Sequence, residues 1–95
     1  MTDEFEWDEA KGEANFRKHG VDFETATLVF VDPFAVGRTD ESAAYGEIRL
    51  LITGMADGAL LTVVYTERGE VIRIISARRA TKKEHDDYYR QNAQE

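Results

Sequence analysis

Residues 60–84 read LLTVVYTERGEVIRIISARRATKKE, and the fold turns on them. Leu60 to Thr66 and Val71 to Ala77 are β-branched, alternating runs, and Arg68-Gly69 between them carries hairpin turn chemistry. Thr81-Lys82-Lys83-Glu84 is a capping-box pattern that opens a helix running toward Gln91. Upstream, residues 47–53 form a third alternating run, joined to the 60–66 strand through Met55-Ala56-Asp57-Gly58. Two-residue turns at Asp57-Gly58 and Arg68-Gly69 set a register. Thr53 faces Thr62, Leu51 faces Val64 and Arg49 faces Thr66; Thr66 faces Val71, Val64 faces Arg73 and Thr62 faces Ile75. One face then carries Ile48, Leu50, Ile52, Leu61, Val63, Tyr65, Ile72 and Ile74, and is expected to lie under the helices as the core. The other carries Arg49, Arg73, Thr53, Thr62 and Thr66 around Leu51, Val64 and Ile75.

Earlier segments complete the picture. Residues 4–7 alternate polar and aromatic, as a short half-buried strand does. Asp8 caps a helix through about Lys18, ended by Gly20, and Asp22 caps a second over 23–30 that buries Phe23, Ala26 and Phe30. Pro33 closes that element, residues 34–38 form a further strand, and residues 39–44 are polar. The expectation is one α+β domain over residues 1–95. It has an antiparallel meander of three to four main strands, a short N-terminal strand, two N-terminal helices and a C-terminal helix, with 91–95 a polar tail.

Composition narrows the chemistry. The 95 residues are 42% hydrophobic, enough for a single core. Cysteine is absent, which removes disulfides, thiol catalysis and Cys-ligated metals. No apolar run reaches the ~18 residues of a membrane span, and the N-terminus is acidic, so a soluble cytosolic protein is expected. Net charge is −7, but it is lopsided: residues 1–47 hold 4 basic and 12 acidic side chains, residues 48–95 hold 8 and 7. Within 68–83, six basic residues stand against the single acid Glu70. Such a block suggests a local anion site.

Arginine suits phosphate, because its planar fork matches phosphate oxygens and stays charged. Arg49 and Arg73 on one sheet face, with Arg68 at the hairpin tip and Arg78, Arg79 and Lys82 at the strand–helix junction, would line a cationic groove. The alternative is that Arg49 and Arg73 pair with carboxylates or lie over the sheet edge. His19 and His85 have no partner at metal-ligand spacing, and no glycine-rich phosphate loop is present. His19 suits a helix C-terminus, and Tyr88 and Tyr89 suit packing on the last helix.

Several strings in order resemble a known family. They are residues 5–11, FEWDEAK; 15–23, NFRKHGVDF; 45–49, YGEIR; 61–66, LTVVYT; and 72–81, IRIISARRAT, followed by Glu84 and Tyr88. Together they resemble the BrnT toxins of bacterial type II toxin–antitoxin systems. That resemblance implies a RelE-like fold, endoribonuclease activity that blocks translation, and neutralisation by a BrnA-type antitoxin that carries the DNA-binding part. It also implies RNA on the sheet face away from the helices, no cofactor or metal, and a bacterial cytoplasmic location. Cleavage would proceed by 2′-hydroxyl attack. Arg49, Arg73 and Arg78 would stabilise the phosphorane and His19 would act as base, with Lys18 as its substitute and as an RNA contact beside Arg68, Arg79 and Lys82. A complex of two toxins and two antitoxins is expected. The acidic N-terminal half leaves a second reading open, a catalytically weak module that binds its antitoxin and acts in operon repression.

Overall fold

The computed structural model describes residues 4–40 and 48–93. A five-stranded sheet in the order β1-β5-β4-β3-β2 forms its centre. Its strands are β1 (Glu4–Glu6), β2 (Val36–Asp40), β3 (Arg49–Ala56), β4 (Ala59–Arg68) and β5 (Val71–Arg79). β2 to β5 form the expected antiparallel meander, but β1 runs parallel to β5, so the sheet is mixed. No hairpin joins β1 to β5, and the long intervening chain leaves the pair free to run parallel. Residues 41–47, including Tyr45, Gly46 and Glu47 of the quoted strings, lie outside the described residues.

α1 (Glu9–His19) is capped by Asp8, whose side chain accepts from the Lys11 amide, and ends at Gly20 with φ 73°. The second helix is shorter than 23–30. α2 covers Phe23–Ala26, and a 3-10 turn takes over at Thr27–Val31. The change coincides with β-branched Thr25, Thr27, Val29 and Val31, and the Thr27 hydroxyl donates to the Glu24 carbonyl at 2.7 Å. β2 begins at Val36 rather than residue 34. Asp32 explains the delay, because its carboxylate accepts from the Phe34 and Met55 amides and from the Tyr88 hydroxyl.

The β3–β4 register is as expected, with Thr53 opposite Thr62 and Leu51 opposite Val64 around Asp57-Gly58. Both turn residues have positive φ, as a type I′ turn requires. The β4–β5 hairpin differs. Arg68 pairs with Val71, so Gly69-Glu70 forms the turn, and Thr66 faces Arg73. The slip is two residues, which leaves each side chain on its expected face. A bulge then intervenes: Tyr65 faces Ile74 and Val64 faces Ser76, leaving Ile75 unpaired. Past the bulge the faces exchange. Ala77 enters the core fully buried, and Arg78 turns to the face of Arg73, opposite Thr62.

The core comprises Val21, Phe23, Ala26 and Val29 from the helical layer and Ala56, Leu61, Val63, Ile74 and Ala77 from the sheet. Ile48, expected inside, is exposed ahead of β3. α1, α2 and the 3-10 turn cover this apolar face. α3 (Lys82–Gln91) does not join them. Its capping box forms as read, but its inner residue Glu84 bonds to Thr62 on the other face. The sheet is therefore covered on both sides, and α3 crosses the face that the sequence reading left open.

Candidate functional site

Alternation and register place five arginines on the face under α3: Arg38 on β2, Arg49 on β3, Arg68 on β4, and Arg73 and Arg78 on β5. Glu4 and Glu6 on β1, Asp40 on β2, and Glu84 share that face. The face is thus a paired array rather than an open cationic groove. Arg73 donates to Glu6 at 3.1 Å, the carboxylate pairing weighed as its alternative.

Glu84 organises the centre. Its side chain is 5% exposed, and it accepts from Arg78 at 2.8 and 2.9 Å through both carboxylate oxygens. Arg38 donates to it at 2.7 Å, the Thr62 hydroxyl at 2.8 Å and the Thr81 amide at 2.8 Å. Thr62 has one hydroxyl proton and gives it to an acceptor-only carboxylate, so Thr53 must be the donor in the 2.6 Å Thr53–Thr62 contact. Burial alone would raise the Glu84 carboxyl. The bonds from Arg78, Arg38, Thr81 and Thr62 outweigh it and hold the group well below the usual carboxylate range. The same pair raises the Arg78 guanidinium.

Two cations on one carboxylate leave one positive charge in excess. Arg78 commits both terminal nitrogens to Glu84, whereas Arg38 commits one and is half exposed. Arg38 also lines an open depression of about 530 Å³ with Thr39, Asp40 and Leu51. It therefore has donors left for an anion arriving from solvent. The sequence reading missed Arg38 because it did not pair β2 with β3; placing Arg38 opposite Leu51 would have found it. From the sequence Glu84 reads as a helix cap, and its second role is visible only when α3 is docked.

The remaining site candidates are dispersed. Lys18 and His19 lie in the last turn of α1, which packs on β5 from the apolar side through Asn15. No hydrogen bond or ion pair joins either to Arg73 or Arg78. Arg79, one residue past Arg78, projects to the opposite face and lines a depression with Gly20, Val21 and Asp22. Lys82 is exposed on α3 and paired with Asp86 at 2.9 Å. Arg68 shares the arginine face at its far end, beside the Gly69-Glu70 turn. His85, not His19, belongs to the layer over the arginines, and its ring meets that of Tyr89 at 4.9 Å, tilted by 48°.

Among the described residues no three His, Asp or Glu side chains converge as a cation site. No helix among them is long and apolar enough to cross a membrane. No curated protein matches the chain. Residues 7–84, more than four fifths of the sequence, match the family described as "Ribonuclease toxin, BrnT, of type II toxin-antitoxin system". That span includes every element from α1 through β5 and reaches Glu84 itself. The chain belongs to the BrnT family of ribonuclease toxins of type II toxin–antitoxin systems.

Proposed function

We propose that the chain is an endoribonuclease that cuts RNA on the arginine-bearing face by 2′-hydroxyl attack on the adjacent phosphorus, without a metal. Arg49, Arg73 and Arg78 hold and neutralise the phosphorane oxygens, and Arg38 joins them with one nitrogen committed to Glu84 and the rest of its donors open to solvent. The observation that carries this reading is the placement of arginines from β2, β3 and β5 on one sheet face in a ribonuclease-toxin family member. Preorganised donors of this kind typically contribute ~2.7–4 kcal/mol each to barrier lowering. The base is drawn from the layer over that face, where His85 is the available imidazole, rather than from His19 on the far layer. Arg68 extends the contact along β4, six residues or ~20 Å from Thr62. Lys18, Arg79 and Lys82 then serve as peripheral charge.

A BrnA-type antitoxin neutralises the toxin in an assembly of two copies of each, and DNA is reached only through the antitoxin. The work is cytoplasmic. One observation favours a second reading. Glu84 already occupies the fork of Arg78 and part of that of Arg38, as it would in a catalytically weak or inactive module that binds its antitoxin and acts in operon repression. Inducing the chain alone in a bacterium separates the two. Growth arrest relieved by the antitoxin, with cleavage of a labelled RNA by purified protein in excess EDTA, supports the metal-free nuclease. Normal growth with soluble protein supports the weak or inactive module.

A further inference from the structure

Away from the arginine face, α1 and α2 enclose an open groove of about 620 Å³, a ligand-sized volume. Its floor is aromatic: Trp7 and Phe23 meet edge to face at 5.8 Å, and Phe16 stands 53% exposed beside them. The Trp7 indole N–H has no acceptor among the described residues and is not sealed from solvent. Gly12 keeps that indole bare. A Cβ there would lie 3.4 Å from Phe23 and 3.5 Å from Trp7, ordinary contact distances, so packing does not demand glycine. Glycine within a helix costs ~1 kcal/mol relative to alanine, and here it leaves the groove floor open.

The rim gives the occupant's charge. Glu9 and Glu13 follow one another by one turn of α1, and Glu24 faces them from α2. None of these three side chains has an ion-pair or hydrogen-bond partner among the described residues. On α3, by contrast, Glu84, Asp86 and Asp87 are all paired with cations. Arg17 is the one cation lining the groove. An apolar floor with carboxylates at helical spacing matches an amphipathic segment laid into a groove, an apolar anchor flanked by lysines or arginines one turn apart.

We infer that this groove docks a cationic, amphipathic segment of the antitoxin, on the opposite side of the sheet from the arginines. The inference rests on the toxin–antitoxin reading and adds the surface to it. Neutralisation through this surface does not need the antitoxin to displace Glu84 or to fill the RNA site directly.

Trp7 is the only tryptophan in the chain, so its emission reports the groove. The test titrates the full chain with a tryptophan-free form of the antitoxin encoded beside its gene. The expected result is a saturable blue shift of Trp7 emission, weakened at least tenfold in the Glu9→Lys/Glu13→Lys double variant and in Phe16→Ala. RNA cleavage by the free variants stays at the wild-type rate. Binding at full affinity by both variants, with Trp7 emission unmoved, overturns the groove and leaves the toxin–antitoxin reading intact. No binding by the wild-type chain overturns both. A blue shift that grows with the chain's own concentration, with a doubled mass in light scattering, gives the groove to a second copy and overturns the assignment.

Discussion

Glu84 binds Arg78 fork to fork, at 2.8 and 2.9 Å, from the first turn of a helix onto the middle of a sheet. One side chain thereby closes the capping box of α3, fixes α3 to the sheet and aims two arginines. The bond to the Thr81 amide serves the helix, the bond from Thr62 the sheet, and the Arg38 and Arg78 bonds the candidate site. Stability and site geometry are therefore coupled through a single carboxylate.

Removing that carboxylate should be costly. Breaking a buried pair by deleting one partner costs ~3–5 kcal/mol, and the lower end applies here because Arg78 and Arg38 are 32% and 48% exposed. For a domain of this size the melting temperature of Glu84→Gln should fall by ~10 °C or more. The pH dependence has a definite sign. A carboxyl held below its unfolded value stabilises fully above that value, ~4.3, and loses the contribution as pH falls below it. Melting curves of the two proteins should be separated by a constant gap above about pH 5 and converge on acidification. A gap that persists undiminished at pH 3 would refute the carboxylate's part in it.

Asn15 predicts a second weak point. β1 pairs with β5 only over Val71 to Arg73, so the outer edge of β5 lacks a strand partner beyond the bulge. The buried Asn15 amide fills the gap, donating to the Ala77 and Val21 carbonyls at 2.9 Å and accepting from the Ala77 amide at 3.2 Å. Asn15→Ala leaves three buried backbone groups unpaired and should destabilise by ~2–3 kcal/mol, measured by urea unfolding. Asn15→Asp keeps only the acceptor and should recover little of this. A loss under ~0.5 kcal/mol would contradict the edge-capping role.

The two histidines give a third test, on the chemistry alone. His85 lies on the helix over the arginines and His19 on the helix of the opposite layer. General-base loss typically costs 10²–10⁴-fold in rate. RNA cleavage should fall in that range for His85→Ala and stay within about twofold of wild type for His19→Ala, in line with a residue outside the site. The reverse ordering would restore His19 to the site.

Much of this fold was legible because it depends on local chemistry. Asp8, Asp22, Gly20 and Thr81 marked helix ends through side-chain caps and a left-handed φ. Asp57-Gly58 fixed the β3–β4 register because only that turn places both residues at positive φ. Illegible features were long-range. A bulge at Ile75 moves Arg78 between faces without a local signature, since Ile74-Ile75 suits an unbroken strand equally well. β1 beside β5, α3 over the arginine face and Glu84 between two guanidinium groups are products of docking. Arg49 is legible because the β3–β4 register forms as read, and Arg73 because a two-residue slip in the β4–β5 hairpin preserves alternation.

Whether the arginine face cuts RNA is decided by cleavage of a labelled RNA by Arg49→Lys, Arg73→Lys and Lys83→Ala at matched thermal stability. Lysine keeps the charge but loses the bidentate fork, so both arginine variants should cleave at least ~100-fold more slowly than wild type. Lys83 is 82% exposed on α3 and pairs with Asp87, a contact worth ~0–1 kcal/mol, so Lys83→Ala should cleave at the wild-type rate. Equal rates in all three would exclude RNA cleavage on this face and reduce its arginines to a structural array.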